Sequence, residues 1–278
     1  KTILVLGSTG CLGTSLEKIL KKDKNVKYIG CNHSDIEITN KKKLEDIIKK
    51  KKPNIIINTV ALIGINYCEE NPKKTMEVNA FSVFDLSQIC KKKNITLVQI
   101  STHAVFDGTS KRPYHENDIP NPLNIYAYSK LVSEYFVKQN LKKYFILRMP
   151  TMYGPRRNKT LGFVDKMINM MRQGKSLKIA DDRMDSPSYA LNIAFKINKI
   201  IKSKNYGTYH MFDKGMISYY ELIVEIAKKI RFKGKIKKAK NSDFVSAAPN
   251  PLRVAMKSKK GGTDIYWKKA ISKYIENE

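Results

Sequence analysis

The sequence predicts an α/β fold: a doubly wound parallel sheet with a smaller C-terminal lobe. Three observations lead there. Short, continuously apolar runs alternate with helix-length amphipathic segments over the first 150 residues, the first run leads directly into three glycines, and the alternation breaks down after Pro150. Continuous apolar runs mark strands covered on both faces. Their alternation with helices builds βαβ units, whose crossovers are right-handed.

The elements follow in order. Residues 3–6 form the first strand, and a glycine-rich turn opens a helix behind it. Residues 26–29 are a second short strand, and a lysine-rich helix spans about 41–51. Residues 54–57 are a third strand, ended by Asn58, and an amphipathic helix runs over about 72–90. Residues 96–100 are a fourth strand, 126–138 a helix, and 144–147 a fifth strand. Beyond Pro150, residues 156–159 read as a polar loop, 162–173 as a helix, and 186–201 as a turn into another helix. Met167, Met170 and Met171 share one face of that first helix and read as core. The expected division is a dinucleotide-binding domain over 1–150 and a mainly substrate-binding lobe over 151–278, with a segment near 186–202 returning to the first domain.

Composition narrows the partners. The 278 residues carry 53 Lys and Arg against 25 Asp and Glu, a net charge of +28. The excess is lysine in short runs along the whole chain, which reads as a solvated surface rather than a nucleic-acid site. The positive field still favours an anionic ligand such as a nucleotide diphosphate. No apolar stretch is long enough for a membrane span, and no basic segment with an apolar run opens the chain. The four cysteines form no CxxC pair and no metal-ligand spacing, so a reducing cytoplasm and no metal site are expected. Asp181 and Asp182 lack the spread oxygen ligands of a hard-cation site.

The turn Gly7-Ser8-Thr9-Gly10-Cys11-Leu12-Gly13 has GxxGxxG spacing between a strand and a helix. Small residues are needed there because a Cβ would block the tight turn or hold the backbone off a pyrophosphate. The helix N-terminus then offers N–H groups to the phosphates. This makes the first domain Rossmann-like, with Gly7, Thr9, Gly10, Cys11, Leu12 and Gly13 at the cofactor. The second strand ends in Cys31-Asn32-His33-Ser34, with Asp35 only later. No acid stands at the strand tip to take a ribose 2′-hydroxyl. Asn32, His33 and Ser34, helped by lysines such as Lys24, suit a 2′-phosphate, so NADP is favoured over NAD.

Tyr126-Ala127-Tyr128-Ser129-Lys130 sets a tyrosine and a lysine one helical turn apart. An ammonium there is expected to lower the phenol's pKa and fit it for acid–base work. It also reaches a cofactor ribose. Ser101 and Thr102 close the fourth strand, at the edge where such sheets place ligands. Either hydroxyl suits the substrate oxygen. Arg156 and Arg157 suit a nucleotide pyrophosphate as charge-assisted forks, or else form an exposed loop pair.

Taken together, the chain resembles the dTDP-4-dehydrorhamnose reductase family of extended short-chain dehydrogenases. The resemblance rests on the glycine turn, residues 58–69 with Val78-Asn79-Ala80, residues 100–108, residues 122–130 with Glu134, Arg148 through Gly154, Asp182 with residues 186–189, and residues 207–210 with Ser218. It implies NADPH-dependent reduction of the 4-keto group of a nucleotide-diphosphate-linked 6-deoxy sugar. Tyr126 would be the general acid, Thr102 would hydrogen-bond the same oxygen, and Lys130 would tune Tyr126 and hold the nicotinamide ribose. It further implies cofactor contacts at Val60, Ala61, Asn79 and Ser101, and substrate contacts at His103, Ala104, Thr151, Arg156, Arg157 and Arg183. The partner would be a small-molecule nucleotide sugar, and a homodimer is the assembly to test.

The chain departs from the family at the sugar pocket. His103-Ala104 stands where the family has Asp-Tyr, residues 60–63 read Val-Ala-Leu-Ile, and Thr151 replaces a common tryptophan. This suggests retained redox chemistry on a different sugar. His103 reads as a structural strand-end residue before a proton relay. Two rivals share the fold: a non-catalytic dinucleotide-binding regulatory subunit, and an NAD-dependent epimerase.

Overall fold

The computed structural model describes residues 1–158 and 160–277. Its first half holds β1 (Thr2–Leu6), α1 (Cys11–Leu20), β2 (Lys27–Cys31), α2 (Lys41–Lys51), β3 (Ile55–Asn58), α3 (Ile65–Glu70), α4 (Pro72–Met76), α5 (Ser82–Lys93), β4 (Thr96–Thr102), α6 (Ile125–Asn140) and β5 (Tyr144–Met149). The second half adds β6 (Met152–Tyr153), α7 (Phe163–Arg172), β7 (Leu177–Ala180), β8 (Met184–Asp185), β9 (Ser188–Tyr189), α8 (Ala190–Ile200), β10 (Gly207–His210), β11 (Ile217–Ser218), α9 (Tyr219–Lys229), β12 (Ile236–Ala239) and α10 (Trp267–Glu276).

Six strands form one parallel sheet in the order β10-β5-β4-β3-β1-β2. Successive side chains of β1 leave on opposite faces. Ile3 and Val5 pack with Leu12 and Leu16 of α1 and with Ile193 and Ile197 of α8. Leu4 and Leu6 pack with Leu44 of α2, Leu86 of α5 and Val137 of α6. Both faces are therefore covered, as continuous apolar strands require. Two elements of the second half complete this body: α8 shields one face beside α1, and β10 pairs with β5 at the sheet edge.

The lobe has its own core, in which Tyr153, Ile168, Ile179, Ile223, Trp267 and Ile271 are buried together. Met171 is buried there, and Met167 and Met170 pack against it. The pairs β7–β12, β8–β11 and β6–β9 frame this core with α7, α9 and α10. Ser218 starts α9 through a capping box, accepting from the Glu221 N–H at 3.0 Å and donating its own to Glu221 at 2.8 Å. The chain after β12 returns to the sheet body: the Ala247 N–H meets Asn66, and Asn124 donates to the Pro249 carbonyl. Among the described residues no helix is long and apolar enough to cross a membrane.

Candidate active site

The glycine turn sits at the carboxyl edge of the sheet. Gly7 has φ +80°, and its N–H donates to the Cys31 carbonyl at 2.8 Å, fastening the turn to β2. A Cβ on Gly13 would stand 2.2 Å from the Gly7 carbonyl oxygen, so only glycine lets α1 start this close to the turn. Gly10 caps α1 without a side chain, and the helical ladder begins with the Thr14 N–H on the Gly10 carbonyl. The N–H groups of Cys11, Leu12 and Gly13 therefore have no acceptor within the helix, at its positive dipole end. That donor set and the absent Cβ atoms fit a dinucleotide pyrophosphate. The Cys11 thiol takes no part: it donates to the Gly154 carbonyl at 3.6 Å, and burial pushes its pKa up to about 11.

Beside the turn is an open pocket of about 430 Å³, lined by Ser8, Thr9, Gly30, Asn32, Asp35, Glu17, Lys21, Tyr28 and Arg157. It joins the turn to the tip of β2, where this fold holds the adenosine ribose. Asn32 lines it, but its Oδ1 already accepts both the Ser34 N–H and hydroxyl. His33 and Ser34 lie exposed outside the lining. Arg157, expected at the substrate, stands here instead. Its N–H donates to the Thr9 carbonyl at 2.9 Å, and its guanidinium reaches the Ser8 carbonyl at 3.0 Å and Glu17. Its neighbour Arg156 turns to the lobe, pairing with Asp165 at 3.2 Å and donating to the Thr160 carbonyl. Lys159, the end of that polar loop, lies outside the described residues.

The candidate reacting groups meet where β4 runs out. Thr102 Oγ1 accepts the Ala104 N–H at 3.1 Å and caps a single helical turn over His103–Val105, which buries Ala104. Asn124 caps α6 by accepting the Ala127 N–H at 2.9 Å, which puts Tyr126 in the first turn of that helix. The Tyr126 phenol lies beside the Thr102 side chain, which favours its ionised form. Burial pushes this phenol up to about 12, against the influence of Thr102. The lowering expected from Lys130 is thus overturned: desolvation dominates, and the phenol keeps its proton at neutral pH. Lys130, one turn on and 2% exposed, is itself pushed down to about 8 by burial, with Glu134 pulling the other way.

A buried network stands behind these groups. Glu134 takes two hydrogen bonds from Arg148, at 2.9 and 2.8 Å, and a third from Ser101 at 2.6 Å. Those bonds hold its carboxyl below the usual range despite burial. The Ser101 hydroxyl therefore faces α6, while Thr102, next along the strand, faces the cleft. Arg148 also reaches His210 of β10, whose ring burial pushes down to about 4. Asn79 lies in a π-helical turn over Glu77–Phe81 and is fully buried. Its amide accepts the Leu62 N–H at 2.8 Å and donates to the Leu62 carbonyl at 2.9 Å and the Ser129 hydroxyl at 3.0 Å. It holds the loop carrying half-buried Val60 and Ala61 against α6 rather than reaching into the cleft.

On the lobe side, His103 is 7% exposed, with Nδ1 2.9 Å from the Met149 carbonyl and Nε2 3.9 Å from Asp185. Asp185 accepts the Thr151 N–H at 3.0 Å. The Thr151 hydroxyl meets the Tyr219 hydroxyl at 2.6 Å, and Arg183 lies over the Tyr219 ring at 4.7 Å. Tyr219 and Asp185 escape notice in the sequence because nothing in their spacing ties them to Thr151. Lys21 is different: it follows Glu17 by one turn on the helix that the glycine turn opens.

The chain is similar to known proteins along its whole length. The family described as RmlD substrate binding domain matches residues 1–278. A dTDP-4-dehydrorhamnose reductase of Aggregatibacter actinomycetemcomitans is 30% identical over 230 residues, covering 81% of this chain and 77% of that protein. The crystal structure of a dTDP-4-dehydrorhamnose reductase from Clostridium acetobutylicum superposes with a TM-score of 0.94 at 33% identity, over 100% of this chain and 99% of that one. That of Bacillus anthracis, in complex with NADP, also gives 0.94, at 26% identity and the same coverage.

Proposed function

The chain belongs to the RmlD substrate binding domain family, and from that membership we propose that it reduces the 4-keto group of a nucleotide-diphosphate-linked 6-deoxy sugar with NADPH. Membership makes it an NAD(P)-dependent oxidoreductase. The observation that carries the proposal is the placing of the Tyr126 phenol beside Thr102 at the carboxyl end of β4, in surroundings that leave the phenol protonated.

Reduction of a ketone needs a hydride on carbon, which the reduced nicotinamide supplies, and a proton on oxygen. Tyr126 holds that proton on its phenolic oxygen. Thr102, beside it, offers a second hydroxyl to the same substrate oxygen. Charge developing on the substrate oxygen is met by both donors in a partly dry site, where such bonds count most. Lys130, near its own titration point, accepts a hydrogen bond or donates a proton as the phenol is depleted. The N–H groups of residues 11–13 bind the pyrophosphate, and the loop at 60–61, braced by Asn79, borders the cofactor. The sugar lies toward Thr151, Tyr219 and Arg183. Residues 1–150 serve mainly the cofactor, and the remainder mainly the substrate. The dinucleotide of the Bacillus anthracis relative supports the choice of NADP. All four cysteines are free, which suits a cytoplasmic enzyme.

The test is a panel of 4-keto sugar nucleotides offered with NADPH to the purified protein. Cofactor consumption that depends on a 4-keto sugar nucleotide is the expected result. Tight dinucleotide binding with no turnover on any member would favour the regulatory reading instead.

A further inference from the structure

We propose that Arg157, with Lys21, binds the 2′-phosphate of NADP and sets the cofactor preference. This rests on the dinucleotide-reductase reading but goes beyond it by assigning a residue from outside the nucleotide-binding segments. The pocket beside the glycine turn runs from Ser8 and Thr9 to Asn32 at the tip of β2. In a doubly wound sheet that tip receives the adenosine ribose, and a nearby arginine accommodates a 2′-phosphate.

Arg157 arrives there from a distant part of the chain and is fixed by its backbone. The N–H groups of Arg157 and Asn158 both donate to the Thr9 carbonyl, at 2.9 and 3.1 Å. The guanidinium is held by the Ser8 carbonyl and Glu17, both through Nη2. It is about half exposed, and a guanidinium has five N–H donors, so others remain for a ligand in the pocket it lines. Lys21 meets the same Glu17 at 2.6 Å. One carboxylate thus faces two cations. The pocket's other acid, Asp35, accepts the Asn32 N–H at 2.8 Å. Asn32 and Ser34, two of the residues the sequence offers for this task beside His33, are bonded to each other.

Glu17 competes for the same cations. A phosphate entering the pocket takes Arg157 and Lys21 in its place, and neutralising Glu17 removes a like charge from the phosphate's side.

The experiment is calorimetric titration of the full chain with adenosine 2′,5′-bisphosphate and with 5′-AMP, which differ only in the 2′-phosphate, followed by NADPH and NADH. The wild type is expected to prefer the bisphosphate at least tenfold. Arg157→Ala and Lys21→Ala should each shrink that ratio severalfold while moving 5′-AMP affinity less than threefold. Arg157→Lys should recover part of it, and Glu17→Gln should raise it. A wild-type ratio near one, or an Arg157→Ala variant that weakens both ligands equally, overturns the assignment. If neither NADPH nor NADH binds the wild type, the dinucleotide reading itself falls.

Discussion

Arg148 grips Glu134 in the closed interior, Nε to Oε1 at 2.9 Å and Nη2 to Oε2 at 2.8 Å, one helical turn beyond Lys130. Both side chains are essentially without solvent contact. Breaking such a pair from one side strands a charge, at a cost of roughly 3–5 kcal/mol. Arg148→Met should therefore lower the thermal midpoint by roughly 5–9 °C at neutral pH. A change of only a degree or two in a melting scan would show that the pair contributes little.

Tyr126→Phe keeps the ring and removes the proton. Turnover on the active sugar nucleotide should fall by about 10²- to 10⁴-fold, the usual worth of a positioned acid. Dinucleotide affinity should stay within about twofold. Steady-state kinetics beside a fluorescence titration separates the two. Undiminished turnover ends the assignment of Tyr126 as proton donor.

Lys130 carries a pH signature in stability. Its folded pKa, about 8, lies below the unfolded value of 10.5. Between those values the unfolded chain binds a proton that the folded chain lacks, so stability rises with pH across that window. Below about pH 8 the penalty is constant, at roughly 3 kcal/mol. Lys130→Met should thus be more stable than the wild type at pH 7 while losing activity, and its advantage should shrink toward pH 10. Urea midpoints at several pH values measure this. A lysine-to-methionine gain that grows with pH would reverse the sign and refute it.

Gly13→Ala tests the turn. The added methyl would stand 2.2 Å from the Gly7 carbonyl, so the backbone must shift at the turn proposed to hold the pyrophosphate. Dinucleotide affinity should drop tenfold or more. Gly174→Ala is the control: it strains a left-handed residue, φ +71°, but meets nothing within 4 Å. It should cost about 1 kcal/mol of stability and leave binding alone.

Much of this is legible in the sequence because it is local. The glycine turn, the Tyr126–Lys130 helix face and the apolar runs of β1, β3, β4 and β5 each sit within a few residues. β10 is not legible as a sheet strand, since Gly207-Thr208-Tyr209-His210 has no apolar run; its place comes from pairing with β5. The placement of Arg157 beside the glycine turn is hidden for the same reason, since its partner Ser8 lies 149 residues away. The phenol's pKa is not legible in the sequence, because spacing reports a nearby ammonium but not burial, and burial dominates at both Tyr126 and Lys130.

The late arrival of α8 and β10 in the sheet body limits how this chain can be cut. A fragment stopping at residue 150 would keep the whole glycine turn and the Tyr126 helix. It would also bare the side of the sheet where Ile193 and Ile197 lie on Val5 and Leu147, and leave β5 as a raw edge open to strangers. Such a truncation would gather into aggregates before it could offer a nucleotide a place to bind, so expression trials and crystallisation need both halves in one polypeptide.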